Sequence, residues 1–362
     1  MVEKSDTKGK APTNTTNKVL SMLLIIMIIG IVVLGGYIIL EMKTLTGEKS
    51  VETCGDGTFY NTCSITKPYF CDEGLLIESS ILCGCPEGLE KKEDICVSNF
   101  AREPREVSFE YILNGETGII NFIMYKGVYD YLYTTPRSIS YQDGEISSRA
   151  DFKLNSINEE AQRDFLLPLV IEIQNSAETK EDQARIAISL VQNIPFGNSD
   201  ASIKFAGNSI NYFRYPYQVL YDREGVCGEK VELLAFLLRE LGYGISFFYF
   251  QEENHEALGI KCPFKESVES SGYCFIETTG PSIMTEEEIN YVGFGKMQSI
   301  PSIFLLSDGF SLPNGMKEFK DASRMDKIKK SLRKREGRLD FYKYLMNQRL
   351  KKKYGLNGES RL

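Results

Sequence analysis

Six of the chain's nine cysteines, Cys54, Cys63, Cys71, Cys83, Cys85 and Cys96, fall within 43 residues. The residues between them are rich in Gly, Asp, Asn, Thr and Glu and show little helical or strand periodicity. A segment this short buries too little apolar surface to fold alone, so it needs covalent staples or a metal. It contains no paired C-x-x-C and no histidine, which favours disulfides over a zinc or iron–sulfur site. The sequence does not choose among the ways six cysteines can pair. Cys262 and Cys274 bracket "CPFKESVESSGYC" between two strand-like runs and form a separate candidate pair. Cys227 is left over.

Disulfides call for an oxidising compartment, and the N-terminal region supplies a route to one. Val19 to Leu40 is a run of 22 residues without a charge. At ~1.5 Å per helical residue it covers a ~30 Å hydrocarbon core. No Ala-x-Ala cleavage signal follows it, so an uncleaved signal anchor is expected rather than a cleaved signal peptide. Lys4, Lys8, Lys10 and Lys18 precede the run, whereas Glu41, Lys43, Glu48 and Lys49 balance each other after it. The positive-inside rule then predicts a single-pass protein of the cell membrane, N-terminus in the cytoplasm and C-terminal part outside. The expected organisation is a cytoplasmic tail (1–18), a transmembrane helix (19–40), a linker (41–53), a disulfide-rich module (54–96), a main domain (105–315) and a basic helical tail (316–362).

The main domain opens with strand-like runs from Arg105 to Tyr141, beginning "VSFEYIL", Asn114-Gly115, "TGIINFIMYKG". Asn-Gly between apolar runs signals a hairpin. A helix is expected over Asn158–Asn175. A second starts after Thr179 and stops at Pro195, with Ile186, Leu190 and Val191 on its buried stripe. The aromatic stretch "NYFRYPYQVLYDREGVC" reads as loop or short helix. A helix from Gly228 to Leu241 carries Val231, Leu234, Leu237, Leu238 and Leu241 inward, with Gly242 just past its end. Three strand-like runs follow, at 245–251, 255–262 and 272–279. They predict an antiparallel sheet packed against that helix, an α+β architecture.

The leftover thiol sits at the start of that helix, where free backbone N–H groups and the positive dipole end favour a thiolate. His255, the only histidine, opens the second strand-like run. It can serve as the base a thiol nucleophile requires. Glu277, set between Ile276 and Thr278 in the third run, needs a partner if it points inward. A buried inert thiol and a solvent-facing Glu277 are the other readings of these residues.

The stretch "YPYQVLYDREGVCGEKVELLAFLLRELGYG … NHEALGIKC … GYCFIETTGPS" resembles the core of the transglutaminase-like superfamily, papain-fold cysteine enzymes, over about 214–281. The residues before it, from about 105, resemble membrane-anchored prokaryotic members. The resemblance implies a papain/transglutaminase-like core, with Cys227 as nucleophile, His255 as general base and acid, and Glu277 as orienting carboxylate. The third residue is often Asp in that family, and Asp222 and Glu256 are competing carboxylates nearby. Gln218, Tyr217 and Tyr221 are candidate oxyanion donors. The implied activity is attack on a protein or peptide amide at the cell surface through a thioester, ending in hydrolysis or acyl transfer, with no cofactor and no metal. The alternative is a catalytically inactive fold serving as a surface binding or assembly module. "CGCPEGLEKKEDIC" resembles loosely the end of an EGF-like unit.

The chain carries a net charge of −8, which argues against nucleic acid as a partner. Lys317 to Lys353 nevertheless holds 15 Lys/Arg against 5 Asp/Glu. Met325, Ile328, Leu332, Leu339, Tyr342, Leu345 and Leu350 fall near one face of a helix interrupted at Gly337. This tail either packs on its own domain or meets lipid head groups or an anionic surface polymer.

Overall fold

The computed structural model describes residues 27–31, 52–86, 89–98, 100–139, 148–198, 203–205, 208–210, 214–286, 290–291, 295–296 and 299–356. The chain divides into two units, Met1–Glu52 and Thr53–Leu362. In the first unit, 27–31 are helical (α1) and exposed. The rest of the run expected to span a membrane lies outside the described residues. Among the described residues no helix is long and apolar enough to cross a membrane.

The second unit opens with the cysteine-rich segment. Tyr69–Asp72 (β1) pairs antiparallel with Leu75–Glu78 (β2), a single turn follows at Ser80–Cys83 (α2), and Glu90–Lys92 (β3) pairs with Ile95–Val97 (β4). These hairpins are too short to show as periodicity. Three disulfides, Cys54–Cys71, Cys63–Cys83 and Cys85–Cys96, staple them.

A long hairpin comes next, Pro104–Leu113 (β5) against Glu116–Tyr125 (β6). Its tip is Asn114-Gly115, both at positive φ, the conformation that makes this dipeptide a hairpin turn. Val107, Phe109, Ile120, Phe122 and Met124 bury one face. The strand pattern stops there. Lys126–Thr134 is a helix (α3) rather than continued strand, because Val128 and Leu132 are one turn apart and both buried. Tyr141 lies outside the described residues.

Arg149–Ile157 (α4), capped by the Ser148 side chain, has no counterpart in the sequence expectation. The helix expected from Asn158 starts at Glu160 and runs to Asn175 (α5). Lys180–Asn193 (α6) begins as expected: the Thr179 hydroxyl accepts the Asp182 N–H at 3.2 Å, and Ile194 is extended ahead of Pro195. Leu76 of β2 exchanges hydrogen bonds with the Asn175 side chain, and Gln183 donates to the Gly55 carbonyl. These bonds fix the stapled segment against α5 and α6.

Ile203–Phe205 (β7) pairs with Asn208–Ile210 (β8). Pro216–Asp222 (α7) is the short helix of the aromatic stretch, with Pro at its first position. Cys227–Glu240 (α8) is the central helix, and every residue from Gly228 to Leu238 is buried. Gly242 follows it at a φ of 93°. Ile245–Phe250 (β9), His255–Lys261 (β10) and Tyr273–Ile276 (β11) are the three expected strands. Asn290–Tyr291 (β12) pairs with Gly295–Lys296 (β13). Ser302–Ser307 (β14), not expected, adds beside β9 and completes a four-stranded antiparallel sheet of order β11-β10-β9-β14.

Both faces of this sheet are covered. Phe247, Leu258, Ile260 and Ile276 join the main core with α8, and Phe248, Phe250, Ala257 and Phe275 form a second cluster with Val268. Alternation along the strands separates the two sets. Cys262–Cys274 clamps β10 to β11. The architecture is α+β.

The basic tail forms Lys317–Lys334 (α9) and Phe341–Tyr354 (α10). It is part of the second unit. Ala322, Met325, Ile328 and Leu350 pack with Ile283, and Arg185 of α6 makes a two-point bond to buried Glu318. Of the expected apolar face, Tyr342 and Leu345 stay exposed.

Candidate active site

Cys227 is the first residue of α8. Its N–H has no carbonyl four residues back within the helix. Val226 before it has no side-chain oxygen to cap the helix, and Glu229 reaches back to the Val226 N–H at 3.0 Å while its carboxylate also accepts the Arg214 N–H and pairs with the Arg214 guanidinium. The end of α8 thus presents backbone donors beside a thiol. Cys227 is half-buried and is the only cysteine outside a disulfide.

His255 is the first residue of β10. Its Nε2 lies 3.0 Å from Glu277 Oε2. Its side chain is also in hydrogen-bond contact with Cys227. With Nε2 turned to the carboxylate, Nδ1 is the ring atom left for the sulfur. Burial opposes a charge on the ring, but the Glu277 carboxylate and the contact with Cys227 outweigh it and raise the imidazole pKa to about 10.

Glu277, the residue after β11, is buried and held on both oxygens. Oε1 accepts the N–H groups of Thr278 and Thr279 at 2.9 and 2.7 Å and the Thr279 hydroxyl at 2.7 Å. That leaves Oε2 for the histidine. The Glu277 carbonyl accepts Gln192 Nε2 at 2.8 Å, which ties this turn to α6. The longer arm of Glu is therefore fixed by the two threonines that follow it. Thr278 also points its hydroxyl at the Cys227 carbonyl, 3.5 Å away, where the end of edge strand β11 meets the start of α8.

The competing carboxylates are engaged elsewhere. Glu256 pairs with Arg149 and Lys153, and Lys153 in turn pairs with Glu232 of α8. Asp222 pairs with Arg214 at 2.8 Å. The three candidate oxyanion donors also have partners elsewhere. The Tyr217 hydroxyl exchanges hydrogen bonds with the backbone of Tyr125, and Gln218 caps its own helix by accepting the Tyr215 N–H and donates to the Tyr129 carbonyl. Tyr221 packs against Tyr129 with the rings tilted by 36° and lies under the Arg105 guanidinium.

One group at the site escaped the sequence reading. Lys230, three residues after Cys227, is fully buried and donates to the Ile194 carbonyl at 2.6 Å. Burial lowers its pKa to about 8, against the attraction of Glu277 and Cys227, which favour its charge. Nothing in "CGEKVELL" distinguishes Lys230 from a solvent-facing lysine. The "ETT" triplet, by contrast, carries in plain sight the donors that hold the carboxylate.

The arrangement offers a thiol, an imidazole that can take its proton, a carboxylate fixing the ring, and an N–H beside the sulfur. No family model, curated protein or solved structure matches the chain.

Proposed function

We propose that this protein is a transglutaminase-like cysteine enzyme, held at the cell surface by the run 19–40, that acts on peptide or protein amides through a thioester. The observation that carries the reading is His255 standing between Glu277 on Nε2 and the thiol of Cys227. The four disulfides and the 22-residue uncharged run support the extracellular, membrane-anchored setting.

With its pKa raised to about 10, the His255 ring already carries a proton at neutral pH, and in the first half-reaction the sulfur adds to the amide carbonyl carbon as a thiolate paired with that imidazolium. The oxygen of the tetrahedral intermediate accepts a hydrogen bond from the Cys227 N–H at the uncapped start of α8. His255 then returns the proton to the departing nitrogen, the C–N bond breaks, and the acyl group stays on sulfur. In the second half-reaction His255 deprotonates water or an amine, which adds to the thioester and displaces the thiol. Water gives hydrolysis and an amine gives transfer. Glu277 does not exchange a proton; it orients the ring and favours its charged form.

The test is a peptide-cleavage assay run beside incorporation of a labelled amine, with intact-mass detection of acylated protein. The wild type is expected to turn over and to carry acyl mass on Cys227. Cys227→Ser and His255→Ala should lose both. Turnover surviving in Cys227→Ser would overturn the reading and leave the site a binding module.

A further inference from the structure

The two halves of α10 differ in what covers them. Its C-terminal half is docked: Leu350 is buried, while Lys353 Nζ and the Tyr354 hydroxyl both donate to Asp321 of α9, at 2.8 and 2.9 Å. Gly355, just past the helix, packs against Ile112 of β5. The N-terminal half is tied to α9 by Lys343 Nζ, which donates to Ser331 Oγ at 3.1 Å, but its large side chains are left uncovered. Within six residues Phe341, Tyr342, Tyr344, Leu345 and Met346 are all exposed, Phe341 by 70% and Tyr342 by 82%. Asp340 caps this half by accepting the Lys343 N–H at 2.9 Å, so it is a formed helix. A groove of about 510 Å³ runs along one side between Leu332, Leu339, Phe341 and Tyr344. A larger one, about 970 Å³, opens on the other side, with Tyr342, Leu345 and Met346 facing Lys320, Arg324 and Arg349.

Five large apolar or aromatic side chains in the open call for a partner. The charges around them restrict its nature. Lys327, Lys330, Lys334, Arg335 and Arg338 are exposed in α9 and the turn after it, within the segment holding 15 cations against 5 anions. Phe, Leu and Met supply apolar bodies, Tyr supplies an apolar ring with a polar tip, and Lys and Arg reach outward on long stems. That combination fits the boundary between acyl chains and anionic head groups. The rest of the sequence supplies proximity, on the membrane-anchor reading given above. Twelve residues, 41–52, separate the uncharged run from the compact unit. Even fully extended they reach only about 40 Å. A surface so tethered needs little intrinsic affinity, because its effective concentration at the bilayer is about millimolar.

We infer that the N-terminal half of α10, with the exposed cations of α9 and the α9–α10 turn, is a membrane-docking surface that seats in the head-group region of an anionic bilayer. Seating it there would fix the orientation of the unit that carries Cys227 instead of leaving it to the linker.

The chain contains no tryptophan, so a single introduced indole reports its own surroundings. The full chain is prepared as Tyr342→Trp, as Leu345→Trp and, for comparison, as Phe59→Trp, whose site is 59% exposed in the stapled segment. Each is placed in phosphatidylglycerol vesicles or phosphatidylcholine vesicles, with and without brominated acyl chains. The α10 reporters are expected to shift to shorter wavelength and be quenched in brominated phosphatidylglycerol. Both effects should be lost in phosphatidylcholine and at ~1 M salt, where screening falls to about 3 Å. Lys334→Glu with Arg335→Glu and Arg338→Glu should abolish them too. The Phe59→Trp reporter should stay unquenched. Three results would each overturn the inference: no quenching of either α10 reporter, quenching indifferent to head group and salt, or a blue shift that grows with protein concentration without quenching, which is self-association.

Discussion

Replacing Lys230 with methionine is expected to change stability with a characteristic pH dependence. The ammonium is buried beneath the start of α8, with the Ile194 carbonyl as its hydrogen-bond acceptor and a pKa lowered from 10.5 to about 8. Each unit of such a shift corresponds to about 1.4 kcal/mol. Holding the charged form inside the protein therefore costs about 3 kcal/mol below pH 8. The sign follows from proton counts. Between pH 8 and 10.5 the unfolded chain binds this proton and the folded one does not, so the group makes stability rise with pH across that window. Lys230→Met removes the cost but leaves the Ile194 carbonyl without its donor, a penalty of roughly 1–3 kcal/mol that does not depend on pH. The variant should then equal or exceed wild type by up to about 2 kcal/mol at pH 7. It should fall roughly 1–3 kcal/mol below wild type above pH 10.5. Denaturant titrations of both proteins across pH 6.5–11 measure the difference directly, and titrations common to both cancel in it. A difference that stays constant with pH would refute the depressed lysine. The same substitution removes a buried cation that interacts with Glu277 and Cys227, so turnover should drop even where stability improves.

Three further outcomes are expected. His255 is the only histidine, so its ring protons give a single NMR titration; it should be centred near pH 10 in wild type and fall toward 6.5 in Glu277→Gln. The raised pKa contributes stability that is full below pH 6.5 and is lost as pH rises through about 10, and Glu277→Gln should lack that loss. Replacing Cys262 and Cys274 by serine opens a loop with a sequence separation of 12 and should cost about 3 kcal/mol by denaturation with the other disulfides intact. Arg185→Ala leaves buried Glu318 without its two-point partner and should destabilise the protein by about 3 kcal/mol, with the basic tail becoming sensitive to proteolysis.

Local patterns carried much of the fold. Asn114-Gly115, the Thr179 cap, Pro195, the apolar stripe of α8 and the strands β9 to β11 are all decided by residues a few positions apart, and each formed where the sequence placed it. The features that escaped depend on distant partners. Strand β14 exists because β9 offers it an open edge some 50 residues upstream, beyond four intervening strands. Helix α4 carries Arg149 and Lys153, which look solvated in sequence, yet Lys153 is buried between Glu232 and Glu256. Glu229, Lys230 and Glu232 of α8 are buried as well. A helix surrounded on all sides buries its charges, and only partners far along the chain reveal that. At the site, Cys227, His255 and Glu277 stood out because the chain has one unpaired thiol and one imidazole. Lys230 and Gln192, which meet the site through α6, carried no such mark.

The central claim is that His255 activates Cys227. The rate of alkylation of Cys227 by iodoacetamide against pH tests it most directly, since the other eight cysteines are held in disulfides. Wild type should react rapidly at neutral pH, and His255→Ala should react much more slowly there. Superimposable profiles for the two proteins, both following the unassisted thiol, would contradict the account.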